Sequence, residues 1–200
     1  AEPQCEAEAP TRWLIPDPGR AMAQLQWRCA LAEGVSGLAR QAAAAYLSHR
    51  LLLRFRSATG LSYGPRAWLD GGGHLRMSVE LPPSSAPAAL QDVDRLLSQP
   101  VQAEAFAQAR LRLLPRVAPE LYGPASLSYI LMTAESGVLA VEEVGSMSAG
   151  LAALGPADLD GVLAGCAESA ITTVLAPPGS LELEGFAASV ADGVPDPAAP

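Results

Sequence analysis

The chain has 200 residues, of which half are apolar and 17% are charged, and its formal net charge is −8. This length and composition suffice for one globular domain with a full hydrophobic core. The acidic side chains outnumber the 13 basic ones, all arginine, which argues against a phosphate-binding surface and a nucleic-acid partner. No apolar run reaches the roughly 18 residues of a membrane span, so no membrane partner is expected.

Composition divides the chain into three parts. Residues 1–10 are polar and interrupted by proline, which predicts a disordered lead-in. Residues 11–178 carry the regular apolar patterns and are predicted to form a single domain. Residues 179–200 are expected to be a flexible C-terminal tail.

The three cysteines, Cys5, Cys29 and Cys166, are odd in number and have no C-x-x-C spacing. They are interpreted as structural thiols kept in a reducing compartment. A cytoplasmic location is expected on this ground.

Two strands and a long helix are predicted first. A short strand ends at a Pro/Gly turn near residue 18, and alternation over residues 21–31 predicts an inner strand. Ser36 is a plausible N-cap for a helix whose apolar positions recur every three or four residues from Leu38 to Arg56. Gly60 is well placed to end that helix.

An antiparallel hairpin follows the helix. Period-two patterns predict strands over residues 61–69 and 74–81, and the DGGG sequence between them suits a turn. This sequence superficially suggests phosphate binding, but it joins two strands instead of opening a helix, so a hairpin turn is favoured.

The remainder is mostly helical. Ser85 is a candidate cap for the first of these helices, and Pro115 is expected to end the second. A last helix from Pro156 precedes a β-branched strand over residues 171–174. The predicted fold is α+β, with an antiparallel sheet of about five to six strands and a layer of helices. The helices between the hairpin and Pro156 are predicted over residues 86–97, 102–114, 124–136, 138–145 and 146–154.

Common catalytic motifs are missing. A zincin helix needs two histidines one turn apart, but His49 and His74 are 25 residues apart in different elements. A site built from these two histidines and distant carboxylates stays open as a minor alternative. Neither a G-x-S-x-G elbow nor a P-loop occurs.

Arg56 and Tyr63 are the candidate functional pair, at the junction of the helix and the hairpin. Both also fit a purely structural role, because an arginine in the last turn meets the helix dipole favourably and tyrosine has a high strand propensity.

The sequence around this junction, SHRLLLRFRSATGLSYG, resembles a motif of the C-terminal domains of the M16 peptidases, the family of pitrilysin and mitochondrial processing peptidase. The segment WLIPDPGRAMAQLQW is similar to that domain's opening strand pair, and AITTVLAP to its closing strand. The motif positions that match are Ser48, Arg50, Leu51, Arg56, Gly60, Leu61 and Tyr63.

The resemblance implies roles for these residues. Arg56 and Tyr63 would contact the substrate carbonyl and the developing oxyanion in trans, and Arg50, Gly60 and Leu61 would belong to the substrate-binding surface. The chain has no H-x-x-E-H motif, so zinc is expected on a partner and no cofactor in this chain.

Two functions follow as hypotheses. In the first, the chain is a non-catalytic, substrate-binding domain or subunit that completes the active site of a zinc-bearing M16 partner, in a hetero-oligomer, and is not a peptidase on its own. In the second, it is a catalytically inert structural or peptide-binding module with the M16 domain shape. The family's known subunits carry two such domains, whereas this sequence has the length of one.

Overall fold

A six-stranded mixed sheet forms one layer of the computed structural model, which describes residues 12–32, 34–117, 124–135 and 146–188. The sheet order is β3-β4-β2-β5-β1-β6. The predicted α+β fold, with a sheet of about five to six strands and a helical layer, is confirmed. The strands are β1 (Arg12–Pro16), β2 (Ala23–Cys29), β3 (Arg66–Leu69), β4 (Leu75–Leu81), β5 (Ile171–Ala176) and β6 (Ala187–Ala188).

Strand pairing differs from the expected wholly antiparallel sheet. β2 pairs antiparallel with β4 and β5, but β1 pairs parallel with β5 and with β6. β5 therefore lies between β1 and β2, and the expected opening strand pair is not a hydrogen-bonded pair. The long helical connection before β5 lets the chain return in the direction of β1, as parallel pairing requires.

Six α-helices are described. α1 continues into a π-helix over Leu52–Ala58, and a 3-10 turn over Pro83–Ser85 precedes α2. No described helix combines the length and apolar character that a membrane crossing requires. The helices are α1 (Gly37–Leu51), α2 (Ala86–Ser98), α3 (Ala103–Val117), α4 (Pro124–Glu135), α5 (Met147–Ala153) and α6 (Pro156–Ser169).

The core lies between α1 and the sheet. The apolar positions of β2 and β4 alternate as predicted, and the side chains that face the helices are fully buried or nearly so. Leu47 and Leu51 of α1 are also fully buried. Burying such large side chains contributes about 1.5–3 kcal/mol each, which fixes the position of α1 on the sheet. The alternating strand residues are Ala23, Leu25, Trp27 and Cys29 in β2, and Leu75, Met77, Val79 and Leu81 in β4.

Helix ends confirm one prediction and correct two. The Ala39 amide donates to Ser36 Oγ at 3.1 Å, so Ser36 is the N-cap of α1. Ser85 makes no such bond, because the 3-10 turn runs into α2 and gives Ser85 helical backbone angles. Pro115 does not break α3, which continues to Val117, so the expected end at this proline is wrong. The helix predicted over residues 138–145 lies outside the described residues.

Cys29 and Cys166 form a disulfide between β2 and α6, with their Cα atoms 4.8 Å apart. The prediction of free thiols is therefore wrong for these two residues. Sequence spacing did not show the pair because 137 residues separate its members. Cys5 lies outside the described residues.

Candidate functional site

The junction between α1 and β3 has a different shape from the predicted one. The α-helix ends at Leu51 and the chain continues as a π-helix to Ala58. β3 begins only at Arg66, because the preceding Pro65 has no N–H for the ladder. Tyr63 therefore lies in a loop and not in a strand. π-Helical segments are rare and occur frequently at functional sites.

Two buried residues anchor this junction. Phe55, in the π-helix, is 2% exposed, and Ser62, in the loop, is 3% exposed. The Ser62 amide donates to the Phe55 carbonyl at 2.9 Å, and the Thr59 hydroxyl donates to the same carbonyl at 3.2 Å. These bonds hold the end of the π-helix against the loop.

Arg56 and Tyr63 each follow one of these anchors and both point outward. The Arg56 guanidinium carbon lies 4.9 Å from the centre of the Tyr63 ring, in cation–π contact. Tyr63 is 87% exposed, so its hydroxyl is open to solvent. The structure thus brings the two predicted residues together as an accessible cation and hydroxyl donor. Their seven-residue spacing gave no sign of the π-helix that joins them.

Gly60 makes the turn between the two anchors. Its φ is +65°, and its amide donates to the Arg56 carbonyl at 3.1 Å, which confirms its position as the glycine that ends the helix. Leu61 is half-buried against the core.

Replacing Gly60 with alanine should lower the free energy of unfolding by about 1–2 kcal/mol, because a side chain disfavours positive φ. Urea denaturation measures this change. Gly64→Ala is the matched control, since Gly64 has an ordinary φ and open space around it. Equal losses for both variants would contradict a special role for Gly60.

Arg50 makes contacts of its own. Its guanidinium donates to the Gln102 side chain, and it lines a small cleft with Arg54, Asp92 and Arg95. Its predicted substrate contact, like those of Gly60 and Leu61, stays a prediction.

The described residues contain no cluster of three or more potential metal ligands. His49 is buried on α1, while His74 lies in the β3–β4 hairpin against Asp70. The two histidines thus have separate surroundings.

Asp70 organises the hairpin turn that the DGGG sequence predicted. The Arg76 guanidinium donates to its carboxylate at 2.7 Å, and the Gly72 and His74 amides each donate to it at 3.0 Å. Burial raises the pKa of Asp70, but hydrogen bonds from Arg76 and His74 outweigh it and lower the pKa to about 2.

This lowered pKa predicts a pH-dependent contribution to stability. The ionised carboxylate stabilises the fold above its ordinary pKa of 3.8, and the contribution is lost as the pH falls through about 2. Asp70→Asn should therefore cost about 1 kcal/mol at neutral pH, a modest value because solvent screens the pair. Urea denaturation of both proteins between neutral pH and pH 2 should show the difference disappearing in acid. A pH-independent difference would assign the loss to something other than charge.

Comparisons with known proteins identify the fold. No protein-family model matches the sequence, and no curated protein matches it. Solved structures do match. An M16 peptidase inactive domain from Pseudomonas fluorescens superposes with a TM-score of 0.66 at 11% identity, over 88% of this chain and 45% of that one.

Two further structures agree. The first half of the periplasmic protease PqqL from Escherichia coli superposes with a TM-score of 0.60 at 16% identity, over 88% of this chain and 44% of that one. Pitrilysin superposes with a TM-score of 0.55 at 13% identity, over 91% of this chain and 22% of that one. The chain therefore has the fold of M16 peptidase domains and spans less than half the length of these structures. The resemblance predicted from the motif is confirmed at the level of the fold.

Proposed function

We propose that this chain is a non-catalytic, substrate-binding part of an M16-type zinc peptidase, which completes the active site of a partner carrying the H-x-x-E-H motif. The observation that supports this function is the exposed Arg56–Tyr63 pair, held by two buried anchors at the positions where the M16 motif has its arginine and tyrosine. A tyrosine kept for packing would be buried, whereas Tyr63 is almost fully accessible.

In this proposal each residue has a distinct role. The Arg56 guanidinium orients the peptide by donating to a substrate carbonyl, and the Tyr63 hydroxyl donates to the oxygen that becomes negative during hydrolysis. Zinc on the partner would supply the activated water. The π-helix and the backbone hydrogen bond from Ser62 to Phe55 fix the distance between the Arg56 and Tyr63 side chains before substrate binds.

The same proposal requires a hetero-oligomer or a longer chain. This sequence has no H-x-x-E-H motif, so the proposal assigns the zinc to another domain or chain. It is consistent with the lengths of the matched structures, which are about twice the present chain or more. An H-x-x-E-H protein encoded beside this one is the first partner to test.

The location proposed for the complex is an oxidising compartment. The expected cytoplasmic location depended on free thiols, and the disulfide between Cys29 and Cys166 removes that basis. Alkylation of the protein in its native cells, followed by mass spectrometry, should recover these two cysteines unalkylated and joined. Alkylated Cys29 and Cys166 would restore the cytoplasmic prediction.

The function is tested by reconstitution. The chain and the candidate H-x-x-E-H partner are purified separately, and cleavage of a mixed peptide library is measured for each alone and for the mixture. Cleavage by the mixture alone supports the proposal. A stable complex whose cleavage does not depend on this chain favours the inert M16-shaped module.

A further inference from the structure

A second concave site lies beside α1, on the surface between that helix, β3 and α3. It is a cleft of about 590 Å³, which is within the range of small-molecule sites. Its lining residues do not include Arg56 or Tyr63. The cleft therefore differs from the proposed peptide-contact pair, and its occupation does not depend on the proposed function.

One wall of the cleft is cationic. Arg112 and Arg116 are one turn apart on α3, so both lie on the same side of that helix, and both line the cleft. The Arg112 charge lies close enough to His49 on the opposite helix to act on its ring. Asp70, at the rim, is already engaged by Arg76 and His74.

His49 supplies a polar atom that the described residues leave unsatisfied. Its side chain lines the cleft but is only 7% exposed, and its Nδ1 is buried without a hydrogen-bond partner among the described residues. A buried polar atom without a partner costs about 1–3 kcal/mol. This cost is recovered only if a ligand group reaches the nitrogen, which needs a small rotation of the ring because Nδ1 has almost no accessible surface.

The remaining walls are largely apolar. α1 contributes small side chains, the start of the π-helix contributes a leucine, and the strand side contributes proline, alanine and leucine, so the site has an aliphatic body beside its charged wall. These residues are Ala44, Ala45, Leu52, Pro65, Ala67 and Leu69.

We propose that this cleft binds a small amphiphilic carboxylate, with the anionic group between Arg112 and His49 and the apolar body against the α1–β3 wall. A guanidinium recognises a carboxylate through paired hydrogen bonds, and the neutral ring of His49 can donate a further one. Burial, with Arg112 and Arg50, lowers the pKa of His49, which favours its neutral ring. The carboxylate belongs to a medium-chain acid or to the C-terminus of an apolar peptide.

The two histidines of the chain make the test specific. Ring signals of His49 and His74 are followed by NMR while sodium octanoate is added to the intact protein, and N-acetyl-dileucine tests the peptide-terminus source. Saturable shifts of His49, with His74 unchanged, are the expected result. Whichever acid saturates the site at the lower concentration identifies the source. Shifts confined to His74, or no saturation with either acid, would overturn the proposal.

Charge and apolar body are tested separately. Octanamide, which lacks the charge, and inorganic phosphate, which lacks the apolar body, should each bind at least roughly tenfold more weakly than octanoate. Arg112→Gln should weaken the binding of octanoate by a similar factor. Arg95 is an exposed arginine on α2, so Arg95→Gln should leave the binding of octanoate unchanged. Equal binding of octanamide would refute the anion site, and equal binding of phosphate would refute the apolar part. Circular dichroism confirms that both variants are folded.

Discussion

Replacing Arg56 with alanine is expected to lower kcat/KM for peptide cleavage by the reconstituted complex about 100-fold or more. A preorganised donor to the reacting carbonyl is worth that much in comparable sites, because it stabilises charge that develops only in the transition state. The stability of the chain should change little, since Arg56 is exposed and its cation–π contact with Tyr63 contributes about 1 kcal/mol or less at an exposed site. Steady-state kinetics with a quenched peptide measure the loss.

Tyr63→Phe separates the hydroxyl from the ring. The phenylalanine ring keeps the contact with Arg56 but donates no hydrogen bond, so kcat should fall about 100-fold while KM changes little. Arg54→Ala is the matched control. Arg54 lies on the same π-helix but pairs with Asp92 at 2.7 Å, away from the proposed peptide contact. If Arg56→Ala and Tyr63→Phe behave like Arg54→Ala, the pair has no part in catalysis.

The second large effect concerns the disulfide. Reducing the bond between Cys29 and Cys166 is expected to lower the free energy of unfolding by about 4 kcal/mol, because the bond closes a very long loop and restricts the unfolded chain. Both cysteines are fully buried, so the bond also joins α6 to the centre of the sheet. Guanidinium denaturation with and without a thiol reductant measures the difference.

A double variant, Cys29→Ala with Cys166→Ala, distinguishes the cross-link from the reductant. It should reproduce the loss seen on reduction and become insensitive to the reductant. Unchanged stability in both experiments would mean that the two cysteines act as ordinary buried side chains.

Local patterns predicted most of the fold. Alternation identified the buried faces of β2 and β4, and helical periodicity identified α1. These signals are local, since each depends on which side of one element faces the core. Ser36 and Gly60 were predictable for the same reason, because each satisfies the requirements of a single helix end.

Features that depend on distant residues were not predictable. Nothing in residues 12–29 indicates that β5 lies between β1 and β2, because strand order depends on tertiary packing. The Cys29–Cys166 pairing has the same origin. The π-helix at Leu52–Ala58 has no turn or breaker residue of its own; a continuous apolar pattern predicts an α-helix there.

The candidate site was predictable in its residues but not in its geometry. The motif gave Arg56 and Tyr63, and the structure shows that their proximity depends on Phe55, Ser62 and Gly60. The cleft at His49 and Arg112 had no sequence signal, because its two walls come from helices that are far apart in the chain.

The central claim is that position 63 touches the peptide substrate in the assembled complex. Tyr63→p-benzoylphenylalanine tests it directly, by photocrosslinking to a labelled peptide in the presence of an H-x-x-E-H partner whose glutamate is replaced by glutamine. The proposal predicts a crosslink at position 63 that requires the partner, and none from Leu111→p-benzoylphenylalanine on the exposed face of α3. Crosslinks to the peptide that are equal at both positions, or absent from position 63 in a complex shown to bind peptide, would contradict it.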